Sequence, residues 1–194
     1  DFLDLPQRVD NAELALIDQQ IQRINLIVTK LLQFAQPAEF AGYIEAIDVQ
    51  ETVADSLVLV RHLLSRGSIA VARHDRAQRR VAVNRHELQQ VLINLCVNAV
   101  HAMPDGGTLT LSTADRDGSD GVPGVAIAVA DTGVGIRPEH LDKVFDAFFS
   151  TKANQGTGLG LSISYTLVAR YGGRIEVQST CGEGTCFTVW LPAE

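Results

Sequence analysis

Apolar residues near the start of the chain recur three and four positions apart, which is the spacing of a helix that packs lengthwise against other helices. The pattern covers residues 10–36, with Asp10 and Glu13 forming a capping box at its start and Pro37 marking its stop. Its apolar positions are Leu14, Ile17, Ile21, Ile24, Val28, Leu31 and Ala35. Further apolar surface beside this seam favours a helical bundle, whose other helices we expect from a preceding segment or from a second copy of the chain. Packing against the chain's own globular part is the alternative.

The hydrophobic pattern changes after residue 37. Residues 1–37 are therefore predicted as one unit, 38–47 as a linker and 48–194 as a second unit. In the second unit, helices are predicted over 49–65, 85–103 and 161–171, and strands over 69–72, 81–83, 108–113, 125–130, 175–179 and 186–191. Helices mixed with antiparallel hairpins predict an α+β domain, built as a two-layer α/β sandwich with helices on one face of a mixed sheet.

Composition narrows the classes of function. The 194 residues are 46% hydrophobic and 20% charged, as expected of a globular chain with a core. A net charge of −7 without a long basic run argues against nucleic acid or an anionic lipid surface as the main partner. The sequence contains nothing close to the ~18 consecutive apolar residues of a membrane-spanning helix. Three cysteines without metal-binding spacing favour a reducing cytosol as the compartment.

Two asparagines lie one turn apart on the predicted helix 85–103. Asn94 and Asn98 therefore project from one helix face, and their amide oxygens are neutral ligands suited to a Mg²⁺ ion that is held mainly by phosphates. An ordinary solvated polar face is the alternative.

Two glycine-containing runs adjoin the predicted strands and helices. In DTGVGI, 131–136, a carboxylate follows a strand, where it can accept a hydrogen bond from the amino group of a base, and the glycines admit a planar ring. In GTGLGL, 156–161, glycines open a helix whose free N–H groups suit phosphate oxygens. A simple turn is the alternative for the first run, and the second run has neither the dinucleotide-binding spacing nor the P-loop lysine.

The segment between these runs, 145–152, contains three phenylalanines and ends at Lys152. We expect a lid that folds over a ligand rather than a permanently packed core element, and Lys152 can present a positive charge to phosphates. The run GEGT, 182–185, fits a tight hairpin turn.

In their order along the chain, these runs resemble the catalytic domain of bacterial two-component sensor histidine kinases, whose superfamily includes DNA gyrase, MutL and heat-shock chaperone ATPases. The resemblance rests on NLCVNA at 94–99, DTGVGI at 131–136, FDAFF at 145–149, GTGLGL at 156–161 and GEGT at 182–185. FFSTK at 148–152 is similar to the nitrogen-regulation and C4-dicarboxylate sensors, and 10–36 resembles the second helix of the dimerisation and phosphotransfer hairpin. The resemblance implies a Bergerat-type ATP-binding fold, joined to one helix of a dimerisation four-helix bundle.

The resemblance also implies roles for individual residues. Asn94 would hold Mg²⁺, Asn98 and His101 would approach the phosphates, and Asp131 would bind the adenine amino group. His101 replaces the lysine often found there. Thr185 would support the base, and Lys152 would act from the lid. The remaining predicted nucleotide contacts are Gly133, Gly135, Ile136, Phe149, Gly156, Thr157, Gly158, Leu159, Gly160 and Leu161.

One position separates two reactions within this superfamily. The ATP-hydrolysing relatives carry a glutamate one turn before the metal-binding asparagine, whereas this chain has Gln90, which cannot act as a base. Transfer to a histidine, which is reactive when neutral, fits Gln90 better than hydrolysis does. Gln90, Asn94 and Lys152 are therefore the predicted catalytic residues. None of the five histidines has the sequence context of the phosphorylated histidine, so we expect the acceptor on a helix that this chain lacks.

The resemblance implies a protein-histidine kinase catalytic region that uses ATP and Mg²⁺. The expected partners are a second copy, bound through the N-terminal helix, and the receiver domain of a response regulator. A cytoplasmic location is expected, with any membrane anchor in regions that this chain lacks. A non-enzymatic nucleotide-binding dimerisation scaffold is the alternative, and a gyrase-like ATPase is a third possibility.

Overall fold

A computed structural model of the protein describes residues 43–150 and 158–194. The predictions for the helix at 10–36, for the first half of the linker (38–42), and for Lys152, Gly156 and Thr157 fall outside the described residues.

A mixed five-stranded sheet is the base of the described fold. The strands are β1 (Glu45–Ile47), β2 (Ile69–Asp75), β3 (Val81–Val83), β4 (Gly107–Asp115), β5 (Gly124–Asp131), β6 (Arg174–Thr180) and β7 (Gly184–Pro192). The sheet has the order β2-β4-β5-β7-β6, in which β2 and β4 are parallel and the other neighbours antiparallel. Both predicted hairpins, β4–β5 and β6–β7, are present. β5 is the central strand and β7 is its antiparallel neighbour, so the end of β5 lies beside the start of β7.

Three long helices cover one face of this sheet. The helices are α1 (Val49–Arg66), α2 (Arg85–Ala102), the short α3 (Pro138–Leu141) and α4 (Gly160–Arg170). Asp48 and Asn84 cap α1 and α2, accepting from Gln50 N–H at 2.8 Å and Glu87 N–H at 3.0 Å. The predicted two-layer sandwich is confirmed.

The core lies between α2 and the inward faces of the central strands. α2 contacts both α1 and α4, and also β4, β5 and β7. Leu92 and Leu95 of α2 are at most 1% exposed, as are Leu109, Ile127 and Val189 of the strands. Because the core clamps α2 against the sheet, the polar residues of α2 are fixed relative to the ends of β5 and β7.

Two local elements differ from the expectation. The end of the predicted linker forms β1, which pairs antiparallel with β3 and buries Ile47 to 3% exposure. The sequence of β1 is Glu-Ala-Ile, which shows no apolar alternation and no apolar run that would mark a strand. The short α3, with Pro138 at its start, was likewise not predicted.

Within 43–150 and 158–194, no helix is both long enough and apolar enough to cross a bilayer.

Candidate functional site

A buried carboxylate marks the end of β5. Asp131 is 9% exposed, and its Oδ1 accepts a hydrogen bond from the Gly133 N–H at 2.9 Å. Thr185 of β7 is the register partner of Asp131, so the two side chains project from the same face of the sheet. A carboxylate and a hydroxyl therefore lie side by side where the central strands end.

The loop after β5 approaches two other backbone segments closely. A side chain at Gly133 would overlap the carbonyl of Ala102 at the end of α2, and the Val134 N–H donates to that carbonyl at 3.0 Å. Gly135 has a φ of +70°, and a side chain there would overlap the Thr180 carbonyl at the β6–β7 turn. These contacts fix the loop between α2 and the β6–β7 hairpin, and they require glycine at both positions.

A serine hydroxyl joins the same loop to β7. Ser179 Oγ accepts from the Ile136 N–H at 2.8 Å and donates to the Gly184 carbonyl at 2.8 Å. It also lies 3.0 Å from Thr185 Oγ1. The predicted residues Asp131, Gly133, Gly135, Ile136 and Thr185 are thus brought together in one hydrogen-bonded cluster, which we call the strand-end cluster.

Ser179 is a residue of this cluster that sequence reasoning missed. Ile175, Val177 and Ser179 alternate along β6, and the first two pack in or against the core. A polar residue at the third inward position needs hydrogen-bond partners, and this break in the apolar alternation is the signal that could have identified it.

A second cluster joins α2 to the start of α4. Asn94 Nδ2 lies 3.4 Å from the Gly160 carbonyl and 3.4 Å from Ser164 Oγ. The Ser164 hydroxyl itself donates to the Gly160 carbonyl at 2.9 Å. Asn94 therefore lies directly against the helix start that was predicted to face phosphates, and we call these residues the helix-start cluster.

The other polar residues that were predicted on α2 lie on either side of Asn94 along the helix. Gln90 and Asn98 are half-buried, one turn to either side of Asn94. His101 is exposed in the last turn, immediately before Ala102, which the loop after β5 contacts. The helix face that carries Asn94 thus leads from the helix-start cluster towards the strand-end cluster.

Glu87, near the start of α2, has a structural role. Its carboxylate accepts from Tyr171 Oη at 2.5 Å and from Arg170 Nη1 at 2.9 Å. Burial, together with the hydrogen bond to Glu87, raises the pKa of Tyr171 to about 12. These bonds hold the start of α2 against the end of α4.

The predicted lid segment divides into two parts. Phe145 packs against the core, with its ring 5.5 Å from that of Tyr165 and 6.3 Å from that of Phe187. The expectation of a lid rather than a packed core element is therefore wrong for Phe145, whose apolar ring is held between α4 and β7. Phe148, in contrast, is 65% exposed, and its N–H donates to the Gly158 carbonyl at 3.0 Å.

Three further predicted contact residues have packing roles. Leu159 is 1% exposed and belongs to the core, and Leu161 packs against that core. The Phe149 ring meets the His140 ring edge-on at 5.4 Å.

The donor set at Asn94 fits a magnesium ligand. Within the described part of the chain, both hydrogen bonds from its side chain to other residues are donated by Nδ2, which leaves Oδ1 to bind a cation. Elsewhere in the described ranges, no group of three or more His, Cys, Asp or Glu side chains is placed to hold a metal ion.

Comparison with known proteins gives this arrangement a family. Residues 83–194, more than half of the chain, match the model of the histidine kinase-, DNA gyrase B- and HSP90-like ATPases. The chain belongs to this family. The matched region begins at the end of β3 and includes both clusters, so the ATPase-family fold accounts for all the elements that position them.

Several sensor kinases are similar to most of the chain. It is 34% identical over 96% of its length to the sensor histidine kinase ZraS of Salmonella typhi, and 37% identical over 93% to ZraS of Klebsiella oxytoca. The sensor kinase CckA of Brucella abortus is 34% identical over 91% of the chain. The chain spans only 39%, 38% and 20% of these proteins, respectively.

Solved structures agree with this assignment. Full-length ShkA in complex with AMPPNP matches the whole chain with a TM-score of 0.78 and 27% identity, and the match covers 40% of ShkA. The catalytic domain of the histidine kinase ThkA matches 77% of the chain with a TM-score of 0.68 and 29% identity, and 95% of that domain is covered. The predicted histidine-kinase type of ATP-binding domain is confirmed.

Proposed function

We propose that this chain is the ATP-binding catalytic region of a sensor histidine kinase, which transfers the γ-phosphoryl group of ATP to a histidine on another helix. The observation that carries the proposal is the strand-end cluster. There a buried Asp131 is held by the Gly133 N–H beside Thr185, in a chain that belongs to this ATPase family.

Asp131 is the residue for the adenine base. An ionised carboxylate only accepts hydrogen bonds, and the exocyclic amino group of adenine is a donor. The close approach of Gly133 to Ala102 and of Gly135 to Thr180 fixes the loop that follows Asp131, so the carboxylate is held beside a rigid backbone. The buried position of Asp131 strengthens the hydrogen bond because water does not compete for it.

The phosphates belong at the helix-start cluster. Asn94 would be the protein ligand of Mg²⁺, which neutralises charge on the β- and γ-phosphates when it is bound. The start of α4 adds N–H groups at the positive end of the helix dipole. Asn98, His101, Lys152 and the glycines at 156–160 are proposed to complete the phosphate contacts.

In the transfer itself, the chain's own residues position the reactants and exclude hydrolysis. A ring nitrogen of the neutral acceptor histidine forms a bond to the γ-phosphorus as the bond from that phosphorus to the β,γ-bridging oxygen breaks. The products are ADP and phosphohistidine, and the other ring nitrogen then releases its proton. The amide of Gln90, one turn before Asn94, cannot remove a proton from water. This position therefore does not supply the general base that hydrolysis of ATP would need.

The partners follow from this assignment. We propose that the full protein dimerises through the helix at 10–36 and passes the phosphoryl group to an aspartate of a response-regulator receiver domain. The run FFSTK at 148–152 favours the nitrogen-regulation and C4-dicarboxylate type of sensor. A cytoplasmic location, no nucleic acid partner and membrane attachment only through other regions belong to the same proposal.

A transfer assay tests the proposed reaction. A separately made four-helix-bundle protein that carries the acceptor histidine is mixed with the chain, Mg²⁺ and ATP labelled in the γ-phosphate. We expect acid-labile label on the acceptor, and none on an acceptor whose histidine is replaced by glutamine. Nucleotide binding without transferred label would favour the dimerisation scaffold. Steady phosphate release without an acceptor would favour the gyrase-like ATPase.

A further inference from the structure

The Ser179 hydroxyl has three hydrogen-bonding neighbours, and two of them have a fixed direction. The Ile136 N–H at 2.8 Å can only donate, and the Gly184 carbonyl at 2.8 Å can only accept. Ser179 therefore gives its single proton to Gly184 and accepts from Ile136.

The direction of the third hydrogen bond follows by elimination. Between Ser179 Oγ and Thr185 Oγ1, 3.0 Å apart, either hydroxyl could be the donor if the pair stood alone. Because the Ser179 proton is already committed to Gly184, the Thr185 hydroxyl must donate to Ser179. Thr185 Oγ1 then has lone pairs, and no proton, to offer any other group.

This direction sets the polarity of the strand-end cluster. Asp131 and Thr185 are register partners, 9% and 5% exposed, and directly opposite residues on one face have Cβ atoms about 5 Å apart. Asp131 accepts because it is a carboxylate, and Thr185 accepts because Ser179 takes its proton. The Asp131 carboxylate and Thr185 Oγ1 are therefore two neighbouring hydrogen-bond acceptors, and an amino group with two N–H donors can bond to both.

We infer that Ser179 is a specificity-determining residue, which sets Thr185 as an acceptor and so selects 6-aminopurine over 6-oxopurine nucleotides. The inference rests on the proposed placement of the base at Asp131. An amino group at position 6 supplies donors to both acceptors, whereas a carbonyl oxygen there faces two acceptors and is repelled. Ser179 acts as a positioning residue, through Thr185.

Calorimetric titrations of Mg·ATP and Mg·ITP test the inference, because ITP replaces the amino group with a carbonyl oxygen. The parent chain should prefer ATP. In Ser179→Ala the Thr185 hydroxyl is free to rotate and donate, so the preference should fall by about three- to tenfold, the usual worth of one neutral hydrogen bond. Ser179→Thr keeps a hydroxyl at this position and should restore the preference. Thr188→Val, on the opposite face of β7, is the matched control and should leave it unchanged.

Thr185→Val is a second, independent test of the inference, which is available even if Ser179→Ala does not fold. It removes the acceptor without creating a donor, so ATP affinity should fall about three- to tenfold while ITP affinity stays level or rises. Equal losses for both nucleotides in either variant would show a merely structural role and overturn the inference. A parent chain that binds ATP and ITP equally would overturn it while leaving ATP binding intact. A parent that binds neither would contradict the proposed function as well.

Discussion

The two clusters of the site are built differently. In the strand-end cluster, hydrogen bonds of 2.8–3.0 Å join Asp131, Ser179 and their partners, and added side chains at Gly133, Gly135 or Gly184 would overlap neighbouring backbone. In the helix-start cluster, Asn94 lies 3.4 Å from both of its partners, and a Cβ at Gly160 would meet nothing closer than 3.8 Å. The hydrogen bonds of the protein thus preform the proposed base site, while the proposed phosphate site has room to adjust to its ligand.

The physical reason lies in the elements that form each cluster. The strand-end cluster joins neighbouring strands of the sheet, whose register fixes the side chains of Asp131 and Thr185 relative to each other. The helix-start cluster joins two helices through a side-chain amide and a terminal carbonyl, with longer contacts. If the base binds at the strand-end cluster as proposed, its preformed hydrogen bonds reduce the ordering cost of binding. Phosphates with their cation would supply strong charge-assisted contacts to the less constrained helix-start cluster.

The largest expected effect comes from breaking the strand-end cluster at Gly184. Its φ is +122°, and an added Cβ would overlap the Asp131 carbonyl, so Gly184→Ala should lower the free energy of unfolding by about 3 kcal/mol. Urea unfolding followed by the fluorescence of Trp190, the chain's single tryptophan, measures this loss.

Gly182→Ala is the matched control for Gly184→Ala. Gly182 also has a positive φ, +81°, but no atom within 4 Å of an added Cβ, so only the conformational cost of about 1 kcal/mol remains. Equal losses in the two variants would contradict the close approach of β7 to Asp131.

Asn94→Ala is expected to have a smaller effect, a loss of affinity for nucleotides that carry phosphates but not for the nucleoside. Loss of the proposed magnesium ligand should weaken Mg·ATP binding about tenfold in calorimetry, since contacts to charged groups contribute more binding free energy than contacts between neutral groups. The affinity for adenosine, followed by ligand-observed NMR, should remain within about twofold because adenosine uses only the base site. Gln89→Ala, at a neighbouring half-buried position, should change neither affinity. Parallel losses for both ligands would mean that the two clusters are not separable.

The smallest effect is expected outside both clusters, at Tyr171. Tyr171→Phe removes the hydrogen bond to Glu87 and should cost about 1 kcal/mol of unfolding free energy at pH 7, with ATP affinity unchanged. Tyr165→Phe, on an exposed ring of the same α4, is the control and should cost nothing measurable.

The same pair of variants tests the pKa of Tyr171. Folding raises this pKa from 10.0 to about 12, so the folded state keeps the proton after the unfolded state has lost it. The stability of the parent should therefore fall as the pH rises from 10 to 12, and Tyr171→Phe should show a shallower fall. Identical slopes would contradict the hydrogen bond between Tyr171 and Glu87.

Local patterns predicted the fold, and they singled out five residues that the structure brings together in the strand-end cluster. Apolar periodicity identified the three long helices and most strands, and Asp131 with its glycines was recognised because its features lie within six consecutive residues. The hydrogen bonds from Ile136 to Ser179 and from Tyr171 to Glu87 could not be predicted in this way, since they join residues that are 43 and 84 positions apart. Phe145 was misjudged for the same reason: its polar, glycine-bounded surroundings suggested a lid, and only the fold brings Tyr165 and Phe187 against its ring.

Titration calorimetry of ATP with Asp131→Asn tests the central claim, that a preformed acceptor at the end of β5 binds the adenine amino group. We expect at least a tenfold loss of ATP affinity, because the asparagine amide can present a donor where an acceptor is needed. Asp117→Asn, a change of equal charge in the β4–β5 loop, should bind like the parent. An Asp131→Asn variant that bound ATP as tightly as the parent would contradict the account.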